Sequence, residues 1–335
     1  MQALQLQRYG GLDNVAFADL PRPVPGPGEL LVRVHAVGLN PIDTLIPRGD
    51  FKPILKLRLP ATVGSDLAGV VAEVGSGVTR FKVGDAVYAS IFDTPHGSLA
   101  EFAIVPERAA ALKPASLDFV QAASIPMVGL TAWQAIHERM QLRPGQKVFI
   151  PAGSGGIGTF AIQLARHLGA RVGTTTSTAN VALVRSLGAD EVVDYTQQPF
   201  EDVLRDYDAV LGTVRGDGLE KALRIVKPGS RVVSLVGPPD AAFARARGMH
   251  FMLTLVFGLF SRKIIGLARR RGASYAFHFV RPDGGQLAQI GALLEAGAIR
   301  PVIDRVFPFL EAKQALTYLA QGRARGKVVV QLPQP

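Results

Sequence analysis

The stretch Val148–Gly158 reads Val-Phe-Ile-Pro-Ala-Gly-Ser-Gly-Gly-Ile-Gly. An apolar strand pattern runs into a glycine-rich turn, and the residues that follow have the apolar spacing of a helix. Gly153, Gly155 and Gly158 match G-x-G-x-x-G. In that pattern the first glycine permits the tight turn, the second lets the backbone approach a phosphate, and the third lets helix and strand pack closely. The stretch therefore predicts a cradle for a dinucleotide pyrophosphate.

Composition sets the outer bounds. The 335 residues are enough for about two domains, and the chain contains no cysteine. This excludes disulfides, thiolate nucleophiles and a cysteine-ligated zinc. The first residues alternate like a strand and lack the basic and apolar regions of a signal peptide, so we expect a cytoplasmic protein.

The formal net charge is +10. Much of the basic excess lies between Arg245 and Arg271, and the sequence has no zinc-finger or RNA-recognition pattern. Because net charge alone indicates only nonspecific association, we expect no nucleic-acid partner.

Two patterns divide the chain. The first ~125 residues predict short strands separated by glycine and proline turns, which is typical of a compact β-barrel. From about residue 145, strands centred near Val148, Val172, Val192, Val210 and Val233 alternate with helices, which is typical of a parallel sheet of βαβ units. One further helix over 285–296 and a strand over 327–332 return, we expect, to the first domain.

The second strand of the parallel sheet predicts which nicotinamide cofactor binds. NAD-selective sites carry a carboxylate about 20 residues after the glycines, where it holds the ribose 2′-hydroxyl. Here the corresponding strand end, residues 173–180, contains no carboxylate. Ser177 and Asn180 can donate hydrogen bonds there, and Arg185 can supply positive charge. We therefore predict NADPH as the cofactor.

Several motifs together resemble one family. They are Gly38–Asp43, Gly64–Val71, Gly75–Phe81, Gly84–Tyr88, Gly97–Phe102, Gly129–Trp133, Ala152–Gly158, Leu187–Asp190, Asp194–Tyr195, Lys227–Gly229 and Gly326–Val328. Their order along essentially the whole chain resembles the medium-chain dehydrogenase/reductase superfamily, in its zinc-free quinone oxidoreductase and enone reductase branch.

The resemblance implies an α/β protein: a GroES-like β-barrel catalytic domain (1–125 and 270–335) and a Rossmann domain with a doubly wound parallel sheet for NADPH (126–269). It also implies a homodimer. Carried onto this sequence, the family pattern gives the following cofactor contacts: Asn40 and Thr131 beside the nicotinamide, Gly155, Gly156, Ile157 and Gly158 at the pyrophosphate, Ser177 and Asn180 at the 2′-phosphate, Tyr195 near the adenosine ribose or phosphate, and Val236 and Gly237 at the strand end beside the nicotinamide. Gly153 belongs to the same site through the glycine pattern.

Zinc-dependent members of the superfamily would have Cys at Asn40 and a His-Glu pair near Ser65 and Asp66. The sequence lacks both, and its six histidines show no paired ligand spacing. A catalytic zinc needs three protein ligands and one open position, so we expect no metal site.

The resemblance implies hydride transfer to a quinone or to an activated C=C bond of an α,β-unsaturated carbonyl. Such a reaction needs a proton after the hydride, and Asp43, Tyr88 or water are candidate donors. The alternatives are an NADPH-binding protein with little turnover, or carbonyl reduction like that of an alcohol dehydrogenase.

The segment 241–271 combines a run of apolar residues with a basic end. One interpretation is an amphipathic helix on a membrane surface. We favour the other, a lid over the cofactor cleft or a subunit contact, and an apolar lid predicts a hydrophobic carbonyl or quinone substrate.

Overall fold

The structure, a computed structural model, describes residues 1–52, 54–55 and 57–333. The chain divides into two compact units. The first consists of residues 1–130 and 281–335, and the second of residues 131–280.

The strands are β1 (Gln2–Leu6), β2 (Val15–Asp19), β3 (Glu29–Leu39), β4 (Ala61–Thr62), β5 (Asp66–Val74), β6 (Ala86–Ser90), β7 (Phe102–Pro106), β8 (Ala110–Leu112), β9 (Lys147–Ile150), β10 (Arg171–Thr176), β11 (Glu191–Asp194), β12 (Tyr207–Gly212), β13 (Val226–Ser234), β14 (Ser274–Phe277), β15 (Ile303–Pro308) and β16 (Lys327–Gln331).

The helices are α1 (Pro41–Arg48), α2 (Phe119–Ala123), α3 (Pro126–Trp133), α4 (Gly156–His167), α5 (Val181–Ser186), α6 (Phe200–Val203), α7 (Gly218–Ala222), α8 (Ala241–Ala246), α9 (Phe251–Arg270), α10 (Gly284–Glu295) and α11 (Ala312–Ala320). Short 3₁₀ turns cover Leu12–Asn14, Glu107–Ala109, Thr178–Asn180 and Phe309–Glu311, and Gln134–Met140 is π-helical.

The first unit is built around the long strand β3. One sheet has the order β15-β16-β3-β5-β6-β8, with β7 also paired to β3, and a smaller sheet has the order β2-β1-β4. Apolar side chains of both sheets form one buried cluster, to which the returning C-terminal strand contributes Val328 and Val330. Strand β16 pairs antiparallel with the end of β3, from Leu39 to Ala36. The last strand of the chain is therefore held beside the residues that begin α1.

The second unit contains one parallel sheet in the order β11-β10-β9-β12-β13-β14. Numbered from β9, this is the 3-2-1-4-5-6 order of a doubly wound nucleotide-binding sheet. The strand order reverses between β9 and β12, and such sheets bind their ligands outside the carboxyl ends of the strands at that point. The glycine-rich turn follows β9 directly, so it lies at the reversal.

The two-part architecture agrees with the α/β fold expected from the sequence, but the boundaries differ. In the structure the first boundary lies after residue 130, where the sequence predicted 125. The second lies after residue 280, where the sequence predicted 269. Strand β14 explains the second difference, because it pairs in parallel with β13 and so extends the sheet of the second unit.

Candidate active site

The turn after β9 is held by side chains from the two neighbouring strands. Thr175 on β10 accepts from the Ala152 N–H through its hydroxyl (3.1 Å) and from the Gly153 N–H through its carbonyl (2.9 Å). Thr213, after β12, donates its hydroxyl to the Pro151 carbonyl at 2.7 Å. Because both neighbours are hydrogen-bonded to the turn, its backbone is fixed before any ligand arrives.

Two glycines of the turn are required by packing. A Cβ on Gly153 would lie 2.2 Å from the Thr174 hydroxyl, and one on Gly158 would lie 2.5 Å from the Ala152 carbonyl oxygen. Gly155 differs, because a Cβ there would meet only the Ala152 carbonyl oxygen, at 3.4 Å. The side of Gly155 that would carry a side chain therefore faces space that the protein leaves open.

Helix α4 starts at Gly156, with Gly155 as its N-cap, and its first turn contains Ile157 and Gly158. No side chain caps this end, so its N–H groups are available to an anion, which the helix dipole also favours. The open face at Gly155 and these uncapped N–H groups fit a dinucleotide pyrophosphate.

A cluster of polar side chains lies at the carboxyl end of β10. The Thr176 hydroxyl donates to Ser154 Oγ at 3.0 Å, and the Asn180 amide Nδ2 lies 3.3 Å from Ser154 Oγ and 3.2 Å from Ser177 Oγ. Asn180 Oδ1 is buried and has no hydrogen-bond partner among the described residues. Ser154 joins the turn to this cluster, although the sequence had assigned it no role.

A carboxylate also reaches this edge of the sheet, from Asp194 at the end of β11. Its oxygens accept from the hydroxyls of Thr178 (2.5 Å) and Thr196 (2.7 Å), and these bonds hold its pKa below the ordinary value. Asp194 is therefore a carboxylate whose oxygens already accept hydrogen bonds from two threonine hydroxyls.

The remaining predicted cofactor residues are spread around the second unit. Arg185 is exposed in the last turn of α5, and 62% of Tyr195 is exposed after β11. Val236 and Gly237 follow β13, where the Ser234 hydroxyl donates to the Gly237 carbonyl at 2.8 Å. Thr131 is buried on α3, with 5% of its surface exposed.

The first unit contains a buried polar cluster at the start of α1. Lys327 Nζ donates to Asn40 Oδ1 at 2.5 Å, and Asn40 Nδ2 donates to Asp66 Oδ2 at 2.9 Å. Lys327 Nζ also lies 3.7 Å from Asp66 Oδ2, and at most 5% of each of the three residues is exposed. Burial lowers the pKa of Lys327 and raises the pKa of Asp66, while each opposite charge counters this effect. The Asn40 amide is thereby fixed between a cation and a carboxyl group.

Asp43 lies beside this cluster. Its Oδ2 accepts the Asn40 backbone N–H at 2.7 Å, which closes a capping box at the start of α1, and its Oδ1 lies 2.5 Å from Ser65 Oγ. Burial raises the pKa of Asp43 to about 7, and nearby Asp66 adds to the rise; the hydrogen bonds from Ser65 and Asn40 and the charge of Lys327 oppose it. Asp43 is thus a carboxyl group that can exchange a proton near neutral pH.

Asp43 and Ser65 both line a cavity of about 220 Å³ in the first unit. Its other lining residues are mainly apolar and include Leu6, Ile46, Leu55, Ile91 and Phe92, with His96 among the polar ones. A mainly apolar cavity with a few convergent polar groups is typical of a small-molecule site.

Tyr88, the other predicted proton donor, is placed differently. It is fully buried on β6, its hydroxyl donates to the Leu287 carbonyl at 2.5 Å, and burial raises its pKa. It does not line the cavity. We therefore correct that assignment and give Tyr88 a role in joining β6 to α10.

The residues at the zinc-ligand positions do not fit zinc. Asn40 offers an amide that Lys327 and Asp66 already bind, Ser65 offers a hydroxyl, and Asp66 is paired with Lys327. Zinc prefers thiolate, imidazole and free carboxylate ligands. Within the described part of the chain, no group of three or more His, Cys, Asp or Glu side chains could hold a metal ion.

Comparison with known proteins adds to this geometry. Residues 26–115 match the sequence model of the alcohol dehydrogenase GroES-like domain, and residues 187–330 match that of the zinc-binding dehydrogenases. A mitochondrial NAD(P)H oxidoreductase, RTN4IP1, from Danio rerio is 36% identical over 99% of this chain and 91% of its own. The chain belongs to the medium-chain dehydrogenase/reductase superfamily, in its quinone oxidoreductase branch. It is therefore an oxidoreductase that uses a nicotinamide cofactor.

Two further relatives of this superfamily member bear on its chemistry. A chloroplastic NADPH-dependent alkenal/one oxidoreductase from Arabidopsis thaliana is 34% identical over 98% of this chain and 79% of its own. The solved structure of the quinone oxidoreductase from Coxiella burnetii superposes with a TM-score of 0.85 and 30% identity, over 99% of both chains. The zebrafish relative is named as mitochondrial and the Arabidopsis relative as chloroplastic. A cytoplasmic location for this chain stays a prediction.

The glycine turn supports a prediction with a matched pair of variants. Gly158→Ala should lower the free energy of unfolding by about 1–3 kcal/mol, because its methyl overlaps the Ala152 carbonyl oxygen. Gly155→Ala should cost less than about 1 kcal/mol, yet weaken NADPH binding about tenfold or more by blocking the open face. Urea unfolding and fluorescence titration with NADPH measure the two effects. Equal loss of stability in both variants would contradict this assignment.

Proposed function

We propose that the protein reduces quinones or the activated C=C bonds of α,β-unsaturated carbonyls with NADPH and without zinc. The observation that carries the proposal is the pair Asp43–Ser65, an acid with a pKa near 7 hydrogen-bonded to a hydroxyl at an apolar cavity. A reductase of such substrates needs one proton for each hydride, and this pair supplies it without a metal. The apolar lining favours hydrophobic substrates.

NADPH, when bound, supplies the hydride. The turn at 153–158 binds its pyrophosphate through backbone N–H groups, and we propose that Ser177, Asn180 and Arg185 bind the 2′-phosphate. Ser154 supports them, since it holds the Asn180 amide in place. Asn40 and Thr131 stay predicted contacts of the nicotinamide.

The different hydrogen bonds of the two Asp43 oxygens indicate where the acid proton lies and how it reaches the substrate. In the structure the Ser65 hydroxyl donates to Oδ1 at 2.5 Å, as it would to the carboxylate. Because Oδ2 accepts the Asn40 N–H, we place the proton of the neutral acid on Oδ1, so that in this form Oδ1 donates to Ser65 Oγ instead. A hydroxyl can accept one hydrogen bond and donate another. When the substrate has gained the hydride, the Ser65 hydroxyl gives its proton to the resulting enolate, at oxygen or carbon, or to the quinolate oxygen. Ser65 takes the proton of Asp43 in exchange. The Asp43 carboxylate then regains a proton from water.

The cofactor assignment is tested together with turnover. The zinc content of the purified protein is measured first. The protein should then oxidise NADPH with at least one member of a panel of enones and quinones, and its KM should be lower for NADPH than for NADH. Ser177→Asp places a carboxylate opposite the 2′-phosphate and should raise the KM for NADPH about tenfold, the size of roughly 1.4 kcal/mol of repulsion, with little change for NADH. Ser177→Ala is the matched control, because it removes the hydroxyl without adding charge.

Two outcomes would overturn these assignments. NADPH binding without turnover on any member of the panel indicates a binding protein. Activity that disappears with removal of a stoichiometric zinc ion indicates chemistry like that of an alcohol dehydrogenase.

The Asp43–Ser65 pair predicts a pH profile. The donor is the protonated form of Asp43, so kcat should be highest below pH 7 and fall as the pH rises through about 7. Asp43→Asn keeps an acceptor for the Asn40 N–H but has no acidic proton, so kcat should fall by about 10²–10⁴-fold and lose this dependence. Ser65→Ala should lower kcat similarly, because it interrupts the path from Asp43.

Ser98→Ala is the control for this series, since it removes a buried hydroxyl that does not line the cavity. It should keep the wild-type profile. A wild-type profile in Asp43→Asn would show that water or another group donates the proton.

A further inference from the structure

Helix α9 exposes an apolar stripe. Its residues are Phe251 (63% exposed), Met252 (52%), Leu255 (62%), Val256 (38%), Leu259 (70%) and Phe260 (69%). Their pairwise spacing of four places them on one face of the helix. A contiguous exposed apolar surface of this kind marks an interaction site rather than ordinary surface.

The opposite face of α9 fixes the helix to the second unit. Ser261, Ile264 and Ala268 are buried there, and the latter two belong to the unit's apolar core. Ser261 donates its hydroxyl to the Phe257 carbonyl at 2.8 Å. The C-terminal half of the helix is therefore packed on the second unit, while the stripe in its N-terminal half faces outward.

The stripe continues into a basic end on the same face. Arg262, Lys263, Arg269 and Arg270 follow the spacing of the apolar pairs, and all four are exposed. Between residues 241 and 271 the chain has seven basic side chains and no acidic one. Lys263 reaches Glu220 on α7 at 2.6 Å. The surface thus combines apolar area with an excess of positive charge.

Within the part of the chain that the structure describes, α9 is the one helix whose length and composition would suit a membrane span. Its apolar part is too short for that, because the stretch from Phe251 to Ser261 rises only ~16 Å at ~1.5 Å per residue against a hydrocarbon core of ~30 Å. The buried face would also have to leave the core. An orientation in the plane of the bilayer surface has neither difficulty.

A second copy of the chain would match only part of this surface. In an antiparallel two-fold contact of α9 the two stripes could face each other, but the basic ends would then lie beyond the overlap. The chain around α9 offers them no counter-charge, since no acidic residue lies between 241 and 282. Anionic phospholipid offers both complements, acyl chains for the stripe and phosphates for the arginines.

We propose that α9 docks the protein on the surface of an anionic phospholipid bilayer. The stripe inserts at the level of the headgroups and upper acyl chains, and the basic end binds lipid phosphates, with its aliphatic stems along the apolar boundary. For 241–271 the sequence favoured a lid or a subunit contact, and the proposal takes the other interpretation, an amphipathic helix on a membrane surface. The docking does not depend on the proposed reaction. Access to quinones dissolved in the membrane would follow from the docking only if the proposed quinone reduction is also correct.

Flotation of the full chain with vesicles tests the proposal. Wild-type protein should float with vesicles of phosphatidylcholine and phosphatidylglycerol, much less with phosphatidylcholine alone, and less in high salt. The double variant Leu255→Glu, Leu259→Glu should lose binding. Replacement of Arg269, Arg270 and Arg271 by Gln should weaken it on the order of 100-fold, because each basic residue near an anionic surface contributes roughly fivefold.

Leu310→Glu is the matched control, since Leu310 is 69% exposed, like Leu259, but lies in the first unit. It should float like the wild type. Failure of the wild type to float with anionic vesicles, or equal flotation of the stripe variant, overturns the proposal. A shift of the stripe variant from dimer to monomer without any wild-type flotation would assign the face to a second copy instead. NADPH oxidation with a water-soluble quinone reports on the reaction separately, and docking variants should keep it.

Discussion

The buried contact between Lys327 and Asp66, bridged by the Asn40 amide, is the constraint on which the first unit's site depends. A charge removed from water is costly unless it is paired and hydrogen-bonded. Here the cation comes from the last strand and the two partners from the start of α1 and of β5. The pairing of β16 with β3 therefore has a second consequence beyond packing, because it brings a cation beside the buried Asp66 carboxyl group. Removing one member of such a buried pair typically costs about 3–5 kcal/mol.

That contact also separates the roles of two carboxyl groups. Asp66 has a cation and two N–H donors, so its function is to hold Asn40. Asp43 has no direct ion pair described, and its partners are a hydroxyl and one backbone N–H. Burial raises the pKa of both acids, and it brings that of Asp43 to about 7, in the range useful for proton transfer. The two acids differ in their partners, because Asp66 lies beside Lys327 and holds the Asn40 amide, whereas Asp43 lies beside Ser65 at the cavity.

The sequence predicted the cofactor unit better than the proton-transfer site, for a physical reason. A strand, a glycine turn and a helix are local, so spacing alone located β9, the turn and α4. The roles of Ser65 and Lys327 depend on contacts across 22 and 287 residues of chain, which no local pattern encodes. The sequence pattern did not predict strand β14, because the strand is only four residues long and begins with Ser274. The sequence made Tyr88 a candidate proton donor on a strand. Only the structure shows that its hydroxyl donates to the Leu287 carbonyl and so joins β6 to α10.

The proposed proton path requires that Asp43 holds a proton near neutral pH behind Ser65. Titration of the aspartate side-chain carboxyls by ¹³C NMR, in the wild type and in Asp43→Asn, measures this protonation. We expect one carboxyl resonance that titrates at about pH 7 and is missing from the variant. If the resonance lost in Asp43→Asn titrates instead near the ordinary aspartate pKa of about 4, the carboxyl is ionised at neutral pH and the proposed proton path is wrong.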